Sequence, residues 1–330
     1  MTDIIVQKFG GTSVGTVERI DAVAEIIKGA SKSKKIIVVV SAMGGETNRL
    51  VTLAKHFDED PDKREFDALV STGETVSSAL LAMALQSKGI KARSYSASQI
   101  SIRTTDSYSK AKILDVDAEK ILNTIKDNTI PIITGFQGVT AGGDVTTLGR
   151  GGSDTTAVAI AAQVGAERCD IYTDVDGIFT TDPKVVPNAK KLDSITMEEM
   201  LELASQGAKV MQTRAVEFAN KYNVPVRVLS SFNNGSGTLI SLKDKVIETT
   251  KNDVQYKDLI VNSEIAKVSL VGAGMRSQTG VASRAFKALS ENDVNIQIIC
   301  TSEIKITMVI DEALVDKAVQ VLHEEFELEK

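Results

Sequence analysis

Two rhythms of apolar and polar positions alternate along the chain. Residues 4–9 and 35–40 are short, nearly unbroken apolar runs of the kind that form strands buried on both faces of a sheet, while Val17, Ile20, Val23, Ala24, Ile26 and Ile27 between them recur at helical spacing. Strand, glycine turn, helix and strand in that order predict a parallel βαβ unit. Residues 90–95 and 130–135 predict further strands, with an amphipathic helix over 116–125 between them. A charged loop at 58–65 leads into a helix through Leu69, Val76, Leu80, Leu81 and Met83. Downstream come an apolar helix at 157–162, a strand at 168–173, helices around 197–203 and 210–222, and strands at 224–229 and 238–241.

This alternation predicts an α/β fold, a three-layer αβα sandwich, over residues 1–243. Ligands of such sheets gather at the carboxyl ends of the strands, where the glycine-containing turns at 10–13, 41–48 and 146–156 fall. Residues 244–264 are polar and lose periodicity, which predicts a linker or adapter. Residues 265–330 then read as strand, helix, two strands and helix, one strand short of a ferredoxin-like α+β unit. A domain so small with an open sheet edge is expected to pair with a second copy.

Composition narrows the classes of function. With 330 residues, 42% hydrophobic and 25% charged, the chain has an ordinary globular make-up, and a net charge of −6 argues against a nucleic-acid surface. Cys169 and Cys300 lie in separate apolar runs and are expected to be buried free thiols of a reducing compartment. His56 and His323 are expected to be solvated helix residues, too few to build a histidine metal site. The N-terminus lacks the pattern of a signal peptide and no run of about 18 apolar residues is evident. A cytoplasmic protein without membrane partners is expected.

The chemistry concentrates in the turns. Residues 146–156 combine glycines, hydroxyls, Arg150 and Asp154 at the start of a helix, a make-up suited to an anion. Gly10 to Gly15 has the glycine spacing of a P-loop but Thr16 where its lysine would follow. Lys8 instead sits at the end of the first strand. It is either a catalytic cation with an anionic partner, for which Asp154 is the natural choice, or a rim lysine that extends to solvent. Asp154 can equally cap its helix. Glu74 is either a site carboxylate or part of an exposed helix face. Residues 173–184 carry paired acids, yet the ligand rhythm of a calcium loop is missing. A nucleotide site with magnesium or a plain Asp-Gly turn fits them better.

Seven stretches in order, Val6–Ser13, Val39–Gly45 with Thr47 and Asn48, Ser71–Glu74, Gly135–Gly138, Leu148–Asp154, Thr173–Pro183 and Gly207–Val210, make the first domain strongly resemble the aspartokinases of the amino-acid kinase fold. The resemblance implies transfer of the γ-phosphoryl of ATP, with Mg2+, to the β-carboxylate of L-aspartate. It assigns Lys8 to the transferring phosphoryl group with Asp154 holding it, and Gly10, Gly11 and Ser13 to the phosphates. Glu74 takes the substrate ammonium and Arg150 its α-carboxylate, helped by Ser41, Thr47, Phe136 and Ser153. Thr173, Asp174, Asp182, Lys184 and Lys209 line the ATP side, Lys184 standing where many relatives have arginine.

Residues 265–275, 280–282 and 300–304 resemble the second of the two ACT units usual in that family. The first unit is missing from the pattern, which puts feedback inhibition by lysine or threonine in doubt and leaves a homodimer or higher homo-oligomer through the remaining unit. Two alternatives remain: a sister kinase for another acid, and a catalytically silent amino-acid sensor. The pairing of Glu74 with Arg150 disfavours the first, and the joint presence of Lys8, Asp154 and Arg150 the second.

Overall fold

A computed structural model describes residues 3–205, 210–241, 265–272, 275 and 280–328. Its elements in chain order are β1 (Ile4–Phe9), α1 (Val17–Ala30), β2 (Lys35–Val40), α2 (Glu46–Lys55), α3 (Lys63–Val70), α4 (Thr72–Ser87), β3 (Ala92–Tyr95), β4 (Ile102–Thr104), β5 (Ile113–Val116), α5 (Ala118–Lys126), β6 (Ile130–Thr134), β7 (Gln137–Val139) and β8 (Val145–Thr147). There follow α6 (Gly152–Gln163), β9 (Arg168–Thr173), β10 (Ser194–Thr196), α7 (Met197–Ser205), α8 (Thr213–Lys221), β11 (Val226–Ser230) and β12 (Thr238–Ser241). The last are β13 (Ile265–Val271), α9 (Val281–Glu291), β14 (Ile298–Thr301), β15 (Lys305–Asp311) and α10 (Val315–Glu325). They fall into two compact units, Met1–Gly177 with Lys209–Ser241, and Ile178–Ala208 with Leu242–Lys330.

In the first unit the sheet runs β12-β11-β9-β1-β2-β6-β3. The strands from β11 to β3 are all parallel, and β12 returns antiparallel at the side of β11. Strand alternation sends Ile5 and Phe9 of β1, with Ile36, Val38 and Val40 of β2, into one core with Ile20, Val23 and Ile27 of α1 and Leu81 and Leu85 of α4. Ile4, Val6 and Lys8 therefore point to the opposite face, against which α6 packs. That helix is buried from Gly152 through Ala161. Its small side chains and lack of a polar face suit a helix wrapped by its own protein on all sides.

A second sheet, β5-β4-β7-β8, was not evident in the pattern of apolar positions. Its strands are three or four residues long, too short to show a period of two, and Val116 closes β5 where the helical reading began. The helix begins instead at Ala118, with Asp117 as its cap. The charged loop at 58–65 is also shorter than expected, because the Asp62 carboxylate accepts from Arg64 N and Glu65 N and starts α3 at Lys63. Within Lys63–Ser87, α3 with α4, a window of 18 residues reaches a mean hydropathy of 1.4, enough by length and composition alone for a membrane span, although it is not an unbroken apolar run. Half of that window is buried within this fold, and the stretch carries the buried carboxylates Asp67 and Glu74.

The second unit contains the antiparallel sheet β13-β15-β14 with α9 and α10, the βαββα order expected. Val268, Ala285, Leu289, Ile306, Met308, Ile310, Ala318 and Leu322 form its core. Residues 178–208, placed by periodicity inside the first domain, group here: Glu202 of α7 meets Lys305 Nζ at 2.7 Å, and Thr180 Oγ1 meets His323 Nε2 at 3.1 Å. Two expectations are corrected. His323 is buried, because residues 178–190 cover that part of α10, whereas His56 is exposed as expected. Cys300 is exposed, since all of β14 lies open to solvent, while Cys169 is buried in β9. The expected linker, residues 244–264, lies outside the described residues.

Candidate active site

Lys8 and Asp154 meet because of strand parity and helix placement. The eighth residue faces the α6 layer, Asp154 lies in the first turn of α6, and Lys8 Nζ is 2.6 Å from Asp154 Oδ1 with both side chains about nine-tenths buried. A cation this deeply buried is tolerable only beside an anion. The rim alternative for Lys8 is excluded by this burial.

Gly10 follows directly, and a Cβ there would come within 3.4 Å of Lys8 Nζ, so glycine keeps the lysine head accessible from that side. Gly11 lies against the turn after β2: a Cβ would stand 3.1 Å from Ala42 O and 3.8 Å from Gly44. The two turns thus touch backbone to backbone at the carboxyl ends of β1 and β2. Ser13 is fully buried and accepts a hydrogen bond from Ser231 Oγ at 2.8 Å.

Glu74 is not on an exposed helix face. It is 3% exposed near the start of α4, and its Oε1 accepts from Ala42 N at 3.0 Å, while Oε2 is buried with no hydrogen-bond partner among the described residues. Burial pushes its pKa up to about 7, against the smaller opposing pull of backbone hydrogen bonds from Ala42 and Glu74 itself. A buried carboxylate oxygen lacking a donor is suited to an incoming ammonium. Ser41 lies in the same turn, its carbonyl accepting from Ser77 Oγ at 2.7 Å, and Thr47 follows in α2, half-buried.

The third turn closes the set. Gly135 admits α6, since a Cβ would stand 2.7 Å from Ser153 Cβ and Oγ, and Phe136 holds a left-handed φ of 68° with its ring 3.0 Å from a Cβ built on Gly152. Phe136 O accepts from Leu148 N at 2.8 Å. Gly149 and Gly151 take left-handed φ values of 76° and 72°, a conformation costly for other residues, and between them Arg150 stands exposed. The loop thereby presents one free-standing guanidinium beside the N-terminus of α6.

Thr173 and Asp174 continue β9, the neighbour of β1, and Gly10 N donates to Tyr172 O at 3.1 Å. Asp174 is exposed and accepts from Thr173 Oγ1 at 3.1 Å. Asp182 and Lys184 belong to the second unit; both are exposed, and Asp182 Oδ1 accepts from Lys184 N at 2.9 Å in a tight turn. Lys209 lies outside the described residues.

Three further polar groups around these residues, two buried and one half-buried, fall outside the sequence motifs. Asp170 in β9, 1% exposed, is held by Arg168 at 2.9 Å and Arg227 at 2.8 Å. Arg19 donates to Ser231 O at 2.6 Å and stacks on Phe232 at 3.8 Å. Asp67 is entirely buried. Its place three residues before Val70 and seven before Glu74, on one helical face, was a signal that could have been read.

Residues 3–230 match the amino acid kinase family and residues 268–326 an ACT domain. An aspartate kinase of Stutzerimonas stutzeri is 46% identical, covering 99% of this chain and 98% of the relative, and an aspartokinase of Pseudomonas aeruginosa is 45% identical over the same shares. The first of these alignments spans 402 positions against 330 residues here, so at least about 70 positions of that comparison have no counterpart in this chain. Among solved structures, Escherichia coli aspartokinase III in complex with aspartate and ADP superposes with a TM-score of 0.82 at 25% identity, covering 98% of this chain and 99% of that one. An aspartate kinase from Synechocystis is 35% identical, with a TM-score of 0.67, covering 98% of this chain and 69% of that one. With full-length relatives of this identity and the Lys8–Asp154 and Glu74 arrangements in place, the chain belongs to the aspartokinases of the amino acid kinase family.

Proposed function

We propose that this enzyme carries out its ATP-dependent phosphorylation of L-aspartate with Lys8 as the phosphoryl-facing cation and Glu74 and Arg150 as the two ends of the substrate clamp. The product is 4-phospho-L-aspartate. The observation that carries the reading is the buried Lys8–Asp154 pair at 2.6 Å, at the end of a strand that opens into a glycine turn. The nucleophile, a carboxylate of ordinary pKa about 4, is already ionised at neutral pH and needs no general base. What the protein supplies is alignment and charge: Asp154 fixes the direction of Lys8, so its ammonium meets charge developing on the transferred group without reorganising.

The unpartnered Glu74 Oε2 receives the substrate ammonium, and that cation returns the raised carboxyl toward its ionised form. Arg150 takes the α-carboxylate, with Ser41, Thr47, Phe136 and Ser153 around the substrate body. Gly10, Gly11 and Ser13, with Thr173 and Asp174, serve the nucleotide. Among the described residues no three His, Cys, Asp or Glu side chains cluster as metal ligands. Mg2+ therefore suits this site as an ion carried mainly by the phosphates of ATP, which neutralises their charge when bound.

The second unit serves assembly. β14 ends its sheet as an edge, with Ile298 58% and Ile299 47% exposed, and a second copy of the chain covers such an edge. The pathway is the synthesis of the aspartate-derived amino acids in the cytoplasm. The test of the activity is formation of aspartyl hydroxamate from ATP, L-aspartate and hydroxylamine; turnover of another acid with none of aspartate would overturn it.

A further inference from the structure

Asp67 lies in α3, on the same helical stretch as Glu74, and its side chain is 0% exposed. Four donors, two from Ser109 in the loop before β5 and two from Thr147 at the end of β8, converge on its two oxygens. Oδ2 accepts from Thr147 N at 2.7 Å and Ser109 N at 2.8 Å; Oδ1 accepts from Thr147 Oγ1 at 2.8 Å and Ser109 Oγ at 3.0 Å. Among the described residues no lysine or arginine pairs with it. A buried carboxylate satisfied by neutral donors alone is an expensive way to join a loop to a strand end. It does give a fixed acceptor at one point.

What that point holds is the root of the Arg150 turn. Thr147 ends β8, and only Leu148 and Gly149 separate it from Arg150. Thr147 O accepts from Ala111 N at 3.0 Å, and a Cβ on Gly149 would stand 3.1 Å from Ser109 O, so the Ser109 loop braces the turn from beneath. Ser109 itself is held at a left-handed φ of 63°. A second tie reaches the same helical stretch from β7, the strand paired with β8: Gln137 Nε2 donates to Ser71 O at 2.9 Å, between α3 and α4.

We infer that Asp67 is a positioning residue for aspartate: it fixes the distance between Glu74, seven residues along the same helical stretch, and Arg150, three residues beyond Thr147. It touches no substrate. It acts by holding the carboxylate end of the clamp in register with the ammonium end, so a loosened Arg150 turn weakens aspartate binding and leaves ATP binding alone. This rests on the roles of Glu74 and Arg150 given above.

The test is steady-state kinetics of aspartyl hydroxamate formation in the full chain with Asp67→Ala, Thr147→Val and Thr147→Ser, with thermal unfolding alongside. Asp67→Ala is expected to raise the KM for aspartate at least tenfold, with the KM for ATP changed less than twofold. Thr147→Val, which removes one hydroxyl donor and keeps the shape, is expected to raise the aspartate KM severalfold, and Thr147→Ser to restore it. If Asp67→Ala fails to fold, the Thr147 pair carries the decision. A lowered Tm with both KM values unchanged, or equal losses for aspartate and ATP, overturns the inference. Absence of hydroxamate from the unaltered enzyme overturns the clamp reading instead.

Discussion

Lys8 Nζ and Asp154 Oδ1 stand 2.6 Å apart although 146 positions separate them in the chain. Parity along β1 and the first turn of α6 alone bring them together. Gly151, not Asp154, is the cap of α6; Asp154 in the first turn places its charge near that helix N-terminus while it pairs with the lysine. The pair lies on the α6 side of the sheet, away from the α1–α4 core, at the strand ends where three turns meet.

Removing the cation separates catalysis from folding. Lys8→Met keeps the aliphatic stem, and hydroxamate formation is expected to fall by at least about a thousandfold. Lys8→Met leaves Asp154 buried and unpaired, so a loss of about 3 kcal/mol is expected with it. The double variant Lys8→Met/Asp154→Asn should recover stability in denaturant titration and stay inactive. Recovered activity in the double variant would remove Lys8 from the mechanism.

Glu74 makes aspartate binding pH-dependent. With its carboxyl raised to about 7 in the free enzyme, kcat/KM for aspartate should fall as pH drops through 7, because the protonated acid offers the ammonium no charge. The profile for ATP should be flatter in that range. A pH-independent kcat/KM for aspartate between 6 and 8 would contradict the assignment.

The same shift has a consequence for stability. A carboxyl whose folded pKa lies above the unfolded value near 4.5 favours the fold below pH 4.5, and that contribution is lost as pH rises through about 7. Glu74→Gln should therefore be more stable than the parent at pH 8, by on the order of 2–3 kcal/mol, with the difference gone near pH 4.5. Its aspartate affinity should collapse. Thermal unfolding at the two pH values, with aspartate titration at the higher, checks both.

Arg150 is exposed between two glycines in left-handed conformation, so its contribution is geometric as well as electrostatic. Arg150→Lys keeps the charge and loses the planar fork, and is expected to raise the KM for aspartate about tenfold or more with little change in Tm. Unchanged KM would move the α-carboxylate to another residue.

Effector response should be weak. At least about 70 aligned positions of the Stutzerimonas relative are absent here, and the first of the two ACT units usual in the family is the expected place of that gap. Hydroxamate assays with millimolar lysine, threonine or both should show little inhibition. Clear inhibition at cellular concentrations would show that the remaining unit binds an effector.

Much of this protein was set by the sequence. The parallel sheet follows from unbroken apolar runs alternating with helical spacing, and the βαββα order of the second unit from the same signals. The turns at 10–13, 41–48 and 146–156 announced their chemistry through glycine, hydroxyl and charge. Tertiary structure decided what local pattern cannot encode. The second sheet is built from strands too short to show periodicity. Burial of His323 depends on residues more than 130 positions away, and exposure of Cys300 on the open edge position of β14. Asp67 gains its role only when Ser109 and Thr147 converge on it. Burial and hydrogen-bond partnership are properties of the packed chain, and they turn Glu74 from one acid among 44 into a carboxyl poised near neutrality.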